Sequence, residues 1–228
     1  MQVEVWSDVV CPWCYLGKRR LEHALARFDR RDEVGVVWRS FELDPGAPAD
    51  DDRPVVEHLA EKYDMTMEHA LEAQRRLTGL AATEGLDYHL DRTRRANTFD
   101  AHRLLHLARE HGIQDRVKER FLAAYFTGGE RLGDRSTLVR LAGEAGLPET
   151  EAAAVVDGDA YAPQVRADER RAQMLGITGV PFFLIDGRHG LAGAHPAEQL
   201  LEALGRAWDE RDGLAPASGA GPGASGES

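Results

Sequence analysis

The sequence predicts an α/β fold interrupted by a large all-helical insertion. Three observations carry that expectation. Residues 2–41 read as strand–helix–strand, residues 54–176 hold no strand-like run, and residues 182–210 read as two short strands and a helix. The chain therefore divides into an α/β unit built from residues 1–53 and 177–211, a helical unit at 54–176, and a tail at 212–228. The tail is composed almost wholly of Gly, Ala, Pro and Ser, cannot bury a core, and is expected to be disordered.

The elements follow in order. Val3 and Val5 alternate with polar partners over residues 2–7, the period of a strand. A helix is expected from Pro12, with Leu16, Leu21, Leu25 and Phe28 as its apolar stripe. Residues 34–41 (Val-Gly-Val-Val-Trp-Arg-Ser-Phe) read as a second, largely buried strand. A strand–helix–strand unit of about 40 residues is long enough for a right-handed parallel crossover. Asp44-Pro45-Gly46 and the Asp50-Asp51-Asp52 run then break the pattern into a polar loop. Helical spacing follows over 54–63, 66–84, 94–111, 114–127, 135–145, 149–156 and 159–175, punctuated by glycines. Phe182-Phe183-Leu184-Ile185 restores strand character, Asp186-Gly187 supplies a tight turn, and residues 189–192 return as a hairpin. Leu200, Leu201, Leu204 and Trp208 mark a last amphipathic helix over 196–210.

Charge and composition exclude several functions. The net charge is −11 over 228 residues, so the mean field repels nucleic acid and anionic membrane, and neither is expected as a partner. No apolar run reaches the length of a membrane span, and Met1 to Trp6 holds no basic, apolar leader; a cytoplasmic location is the expectation. In a reducing compartment two cysteines rarely serve as a structural staple, so Cys11-Pro12-Trp13-Cys14 reads as redox or metal chemistry. Zinc would need His102 and His106, which lie far along the chain on one predicted helix; no metal site is expected.

The redox reading has a physical basis. With Cys11 as N-cap, Pro12 falls at the first helical position, where its missing N–H costs nothing. Cys14 then lies one turn on, along the same face and within the span of a disulfide. Unpaired backbone N–H groups and the positive end of the helix dipole face the Cys11 sulfur. They are expected to lower its pKa from about 8.5 into the range of roughly 3.5–7.5, making Cys11 the attacking thiolate and Cys14 the resolving thiol.

Four segments together resemble the DsbA family of thioredoxin-like oxidoreductases, in its FrnE-like branch. They are Ser7-Asp8-Val9-Val10-Cys11-Pro12-Trp13-Cys14-Tyr15-Leu16-Gly17, Asn97-Thr98-Phe99-Asp100-Ala101-His102-Arg103-Leu104, Gly179-Val180-Pro181-Phe182-Phe183 and Gly193-Ala194-His195-Pro196. The branch is related to 2-hydroxychromene-2-carboxylate isomerases and kappa-class glutathione transferases. The resemblance, over about residues 2–211, implies a thioredoxin-like fold with a helical lid and the cysteine pair at their interface. It also implies a cis peptide bond before Pro181 that offers the Val180 backbone to a substrate chain.

The implied function is oxidation or isomerisation of protein disulfides through Cys11 and Cys14, with no tightly bound cofactor. Trp13, Val180, Asn97 and His102 are the implied substrate contacts, and Asp8 is a candidate proton relay. The alternative is a glutathione-dependent isomerase or transferase acting on a small aromatic or polyketide substrate, with glutathione as its thiol. Those isomerases usually carry serine where this chain has Cys11 and lack a partner like Cys14, which favours the redox reading. Trp13 stands where periplasmic DsbA has histidine.

Overall fold

A computed structural model describes residues 1–48, 51 and 53–213. The elements run β1 (Gln2–Ser7), α1 (Pro12–Ala26), β2 (Gly35–Ser40), α2 (Val55–Lys62), α3 (Met67–Thr83), α4 (Phe99–Glu110), α5 (Gln114–Ala123), α6 (Arg135–Glu144), α7 (Glu149–Asp157), α8 (Ala162–Met174), β3 (Phe182–Ile185), β4 (His189–Ala192) and α9 (Ala197–Gly213). A 3₁₀ turn at Arg31–Glu33 precedes β2.

The strands form one sheet in the order β2-β1-β3-β4. β1 pairs parallel to β2, with Val5 opposite Trp38, and antiparallel to β3, with Val5 opposite Phe183. Asp186 and Gly187 take φ of 50° and 71° at the turn into β4, the left-handed geometry that tight hairpins require. Because side chains alternate along each strand, the sheet has two buried faces. Val3, Val5, Trp38 and Phe183 pack under α1 and α9 with Leu21, Leu200 and Leu204, while Trp6 and Leu184 pack under α8 with Ala172. The helical unit has its own core around Leu104, Phe121, Leu122 and Leu141, and Val9 and Tyr15 from the α/β unit join it.

The edge strand β2 is covered by α5. Gln114 accepts from the Trp38 backbone N–H (3.0 Å) and donates to the Trp38 carbonyl (2.9 Å), and Asp115 accepts from the Trp38 indole (2.9 Å).

Three boundaries differ from the sequence reading. The helix expected at 94–111 begins only at Phe99. Asn97 ends the preceding loop instead, its side-chain oxygen accepting the Phe99 N–H (3.0 Å). The helix expected at 114–127 stops at Ala123 and continues as a π turn, Ala124–Gly128. Gly129 closes that turn at φ 68°, with Arg92 so close that an added Cβ would lie 2.6 Å from the Arg92 Cβ. The last helix runs to Gly213, taking in two residues expected in the tail; residues 214–228, like Asp50 and Asp52, lie outside the described residues.

Charge is also buried where β2 meets α8. Glu42 pairs with Arg166 (2.5 Å), which also holds Glu169 (2.7 Å) and lies 4.3 Å from the centroid of the Phe99 ring. Burial, reinforced by a hydrogen bond with Glu169, pushes the Glu42 carboxyl up to about 7. The folded chain therefore holds a proton here that the unfolded chain releases above its ordinary value of 4.5. That contribution to stability is full below 4.5 and is lost as pH rises through 7. Glu42→Gln is expected to stabilise the fold at pH 8 by roughly 2 kcal/mol, a figure already discounted for solvent screening, and to have no effect at pH 4. Urea unfolding at both pH values checks it; equal effects at the two would contradict the assignment.

Candidate active site

The cysteine pair sits where β1 gives way to α1. Cys11 is extended (φ −92°, ψ 112°), and its carbonyl accepts from the Cys14 amide (3.0 Å) and the Tyr15 amide (3.3 Å), so Cys11 caps the helix with Pro12 inside its first turn. Both cysteines are thiols here. Cys11 is 4% exposed, Cys14 1%, and Trp13 between them 45%. Tyr88 donates to the Pro12 carbonyl (2.7 Å), tying the start of α1 to the loop that leads into α4.

The second piece is the loop before β3. The Val180–Pro181 bond is cis, and the Cys11 thiol donates to the Val180 carbonyl across 3.6 Å. The approach needs a glycine on α1: a Cβ at Gly17 would lie 3.0 Å from the Pro181 ring and 3.2 Å from Phe183. A groove of about 370 Å³ runs past Ile177, Gly179, Val180, Pro181 and Gly193. Met174 and Leu175, 81% and 46% exposed, precede this loop in the chain and leave large apolar side chains open to solvent.

Beneath the pair lies a buried polar floor. Asp8 is fully buried; it accepts from the amides of Val9 (2.7 Å) and Leu43 (2.8 Å) and faces His102 Nε2 at 3.3 Å. Burial alone would raise its carboxyl, but the hydrogen bond and charge of His102, the Leu43 amide and the charge of Lys118 outweigh it and hold Asp8 below the usual carboxylate value. Lys118 of α5 is also fully buried, donates to the Ser7 carbonyl at 3.4 Å and lies 5.7 Å from the centroid of the Trp38 ring. Burial pulls its amine down to about 8, against the charge of Cys14.

The structure thus gathers Cys11, Cys14, Val180 and Pro181 at one mouth with Trp13 on its rim, and sets Asp8 and His102 behind it. His102, expected to face substrate, is 1% exposed and turned to Asp8. Asn97, expected on the same helix, precedes it; its amide nitrogen donates to the Ala47 carbonyl (3.1 Å) and its oxygen holds Phe99, so its hydrogen bonds organise a loop. His106 turns to Ser40 and Asp168, away from His102's partner, and among the described residues no group of three or more His, Cys, Asp or Glu converges as for a metal ion.

The acidity expected of Cys11 is corrected. Hydrogen bonding with Cys14, burial, and the nearby charges of Cys14 and Asp8 raise its thiol well above the ordinary value. Spacing discloses the helix terminus that favours a thiolate but not the desolvation that opposes it. Lys118 and Tyr88 were not legible as site residues, since each arrives from the distant helical unit.

Residues 2–205 match the model of the DSBA-like thioredoxin domain. The chain belongs to that family. This DsbA-like chain is similar to a probable DsbA oxidoreductase from Streptomyces coelicolor, with a TM-score of 0.89 and 49% identity over 92% of this chain and 91% of that one. It shares its fold with a 2-hydroxychromene-2-carboxylate isomerase (TM-score 0.68, 15% identity, covering 94% and 100% of the two chains). It also shares it with the cytosolic disulfide reductase DsbM from Pseudomonas aeruginosa with GSH (TM-score 0.61, 17% identity, covering 94% and 99%). A DsbA-like α/β fold carrying a helical insertion is what the sequence led one to expect. Among the described residues no helix is long and apolar enough to cross a membrane.

Proposed function

We propose that the chain is a thiol–disulfide oxidoreductase that exchanges disulfides with protein substrates through Cys11 and Cys14. The observation that carries this reading is a two-thiol pair at a helix start, with the outer sulfur against the Val180 backbone at the end of an open groove. In the oxidised enzyme a substrate thiolate attacks Cys11, the Cys11–Cys14 bond breaks, and Cys14 leaves as a thiolate. A second substrate thiol then attacks the mixed disulfide, releasing an oxidised substrate and the reduced pair. Run backwards, Cys11 attacks a substrate disulfide and Cys14 closes on Cys11 to free the product. Trp13 and Val180 border the substrate, and no tightly bound cofactor is needed. The proposed setting is the cytoplasm, where glutathione or a protein thiol is the electron partner.

The direction in which it runs is set by the potential of the pair against its surroundings. Equilibration with glutathione measures that potential, alongside insulin reduction by wild type and Cys11→Ser. Insulin reduction undiminished by Cys11→Ser would end the redox reading. The glutathione-dependent isomerase reading has less support, because Cys14, buried against Cys11, supplies a second thiol that such chemistry does not use.

A further inference from the structure

The Gly193-Ala194-His195-Pro196 segment holds neither cysteine, yet hydrogen bonds join it to the site from two sides. Gly193 (φ 96°) turns the chain at the end of β4, and its N–H donates to the Pro181 carbonyl (2.8 Å). The next residue is held from α1, where Arg20 Nη1 donates to the Ala194 carbonyl (2.6 Å). Arg20 is 9% exposed, and its Nε donates to Glu84 (2.7 Å), the residue that follows the last turn of α3. Glu84 in turn faces His23 Nδ1 at 3.2 Å. One turn before Arg20 on the same helix stands Gly17, which lets the Pro181 ring approach. The helix that starts at the cysteine pair therefore grips the Pro181 loop twice, directly at Gly17 and through Arg20 and the Ala194 backbone.

A guanidinium suits this place because its donors point in fixed directions and serve two acceptors at once, whereas an ammonium is a point charge on a flexible stem. Glu84 supplies the counter-charge. The Ala194 carbonyl is neutral, so the bond to it contributes position rather than charge.

We infer that Arg20 is a positioning residue for exchange with protein substrates. The inference rests on the oxidoreductase reading above and deepens it. Arg20 fixes Ala194, Gly193 fixes Pro181, and the Val180 backbone is thereby held beside the Cys11 sulfur, where a substrate chain can pair with it. In the step this assists, the Cys11 thiolate bonds to the substrate sulfur, the substrate S–S bond breaks, and the second sulfur leaves with its electron pair. A small disulfide that brings no backbone needs only Cys11. A peptide disulfide needs the Val180 backbone in place as well.

The test compares two disulfides that share a leaving group. Ellman's reagent, and a short peptide whose one cysteine is joined to thionitrobenzoate, both release thionitrobenzoate when Cys11 of the reduced protein attacks. Only the peptide offers a backbone to Val180. Arg20→Met is expected to slow release from the peptide by about tenfold or more relative to release from Ellman's reagent, on the scale by which small misplacements of a bound substrate act. Glu84→Gln keeps an acceptor for Nε and leaves the Ala194 bond in place, so it should keep the wild-type ratio of the two rates. Should Arg20→Met fold poorly because Glu84 has lost its arginine, Arg20→Met combined with Glu84→Gln removes that unpaired charge and should show the same selective loss. Two rates that fall together, a ratio that the Arg20 variants leave unmoved, or one that Glu84→Gln shifts as far, overturns the role of Arg20 while leaving disulfide exchange intact. A peptide reaction that survives Cys11→Ser overturns the oxidoreductase reading itself.

Discussion

Cys14→Ser is expected to turn the protein into a trap. A substrate disulfide will still join Cys11, and no second sulfur of the enzyme will close on Cys11 to free it. Serine's hydroxyl does not ionise near neutrality and cannot form the internal bond, and the position is 1% exposed, which leaves little room for an outside thiol to substitute from that side. Turnover of insulin should fall on the order of 10³-fold, the scale on which deleting a reacting group from a coupled pair acts. A covalent adduct should accumulate on non-reducing gels and vanish with dithiothreitol. The companion Cys11→Ser should be equally inactive and form no adduct. If Cys14→Ser kept turning over, one thiol would suffice, and the glutathione-dependent reading would gain what the dithiol reading lost.

Asp8→Ala is expected to cost about 3–5 kcal/mol of stability, the scale for breaking a buried charge network by removing one member. The carboxylate serves the buried Val9 amide and the part-buried Leu43 amide, faces the buried His102, and is a countercharge to Lys118. Its removal leaves both N–H donors without that acceptor and Lys118 without its fixed counter-ion. Against a total stability of about 5–15 kcal/mol that is a large fraction. The pH dependence has a definite sign. The folded-state pKa of Asp8 lies below the ordinary 3.8, so its contribution is present above 3.8 and lost as pH falls through the folded value. The gap between wild type and Asp8→Ala should therefore be widest near neutrality and narrow toward pH 2. Urea denaturation across that range is the measurement, and a gap independent of pH would assign the loss to packing alone.

Much of this architecture was legible because it is local. The alternation of Val3 and Val5, the proline directly after Cys11, and Asp186-Gly187 between apolar runs each specify geometry within a few residues. The cis bond at Pro181 came from resemblance rather than from spacing. What was not legible depends on distant contacts. Arg94 and Arg95 fit the helical period yet lie in a loop: Arg95 binds Asp44 (2.5 Å), and Arg94 bridges to Pro54. His102 has the composition of a surface group and is instead the partner of Asp8. The acidity of Cys11 was misjudged because the neighbouring Cys14 opposes its ionisation, with the burial that the whole fold imposes adding to it, while the helix terminus alone favours it. Lys118 left one faint trace, as a lysine in a chain that otherwise prefers arginine.

The amide of Gln114 has a bearing on how partners reach the sheet. By matching both the donor and the acceptor of Trp38 it imitates the peptide unit of a neighbouring strand, so the β2 margin is occupied before any other chain arrives. An extended polypeptide seeking main-chain partners is turned from that side, while the Val180 backbone beside the sulfur lies at the end of the sheet, in the loop that enters the interior strand β3. A single side chain from the helical unit thus denies visitors one border of the sheet and leaves the exposed backbone next to the redox pair as a place to dock.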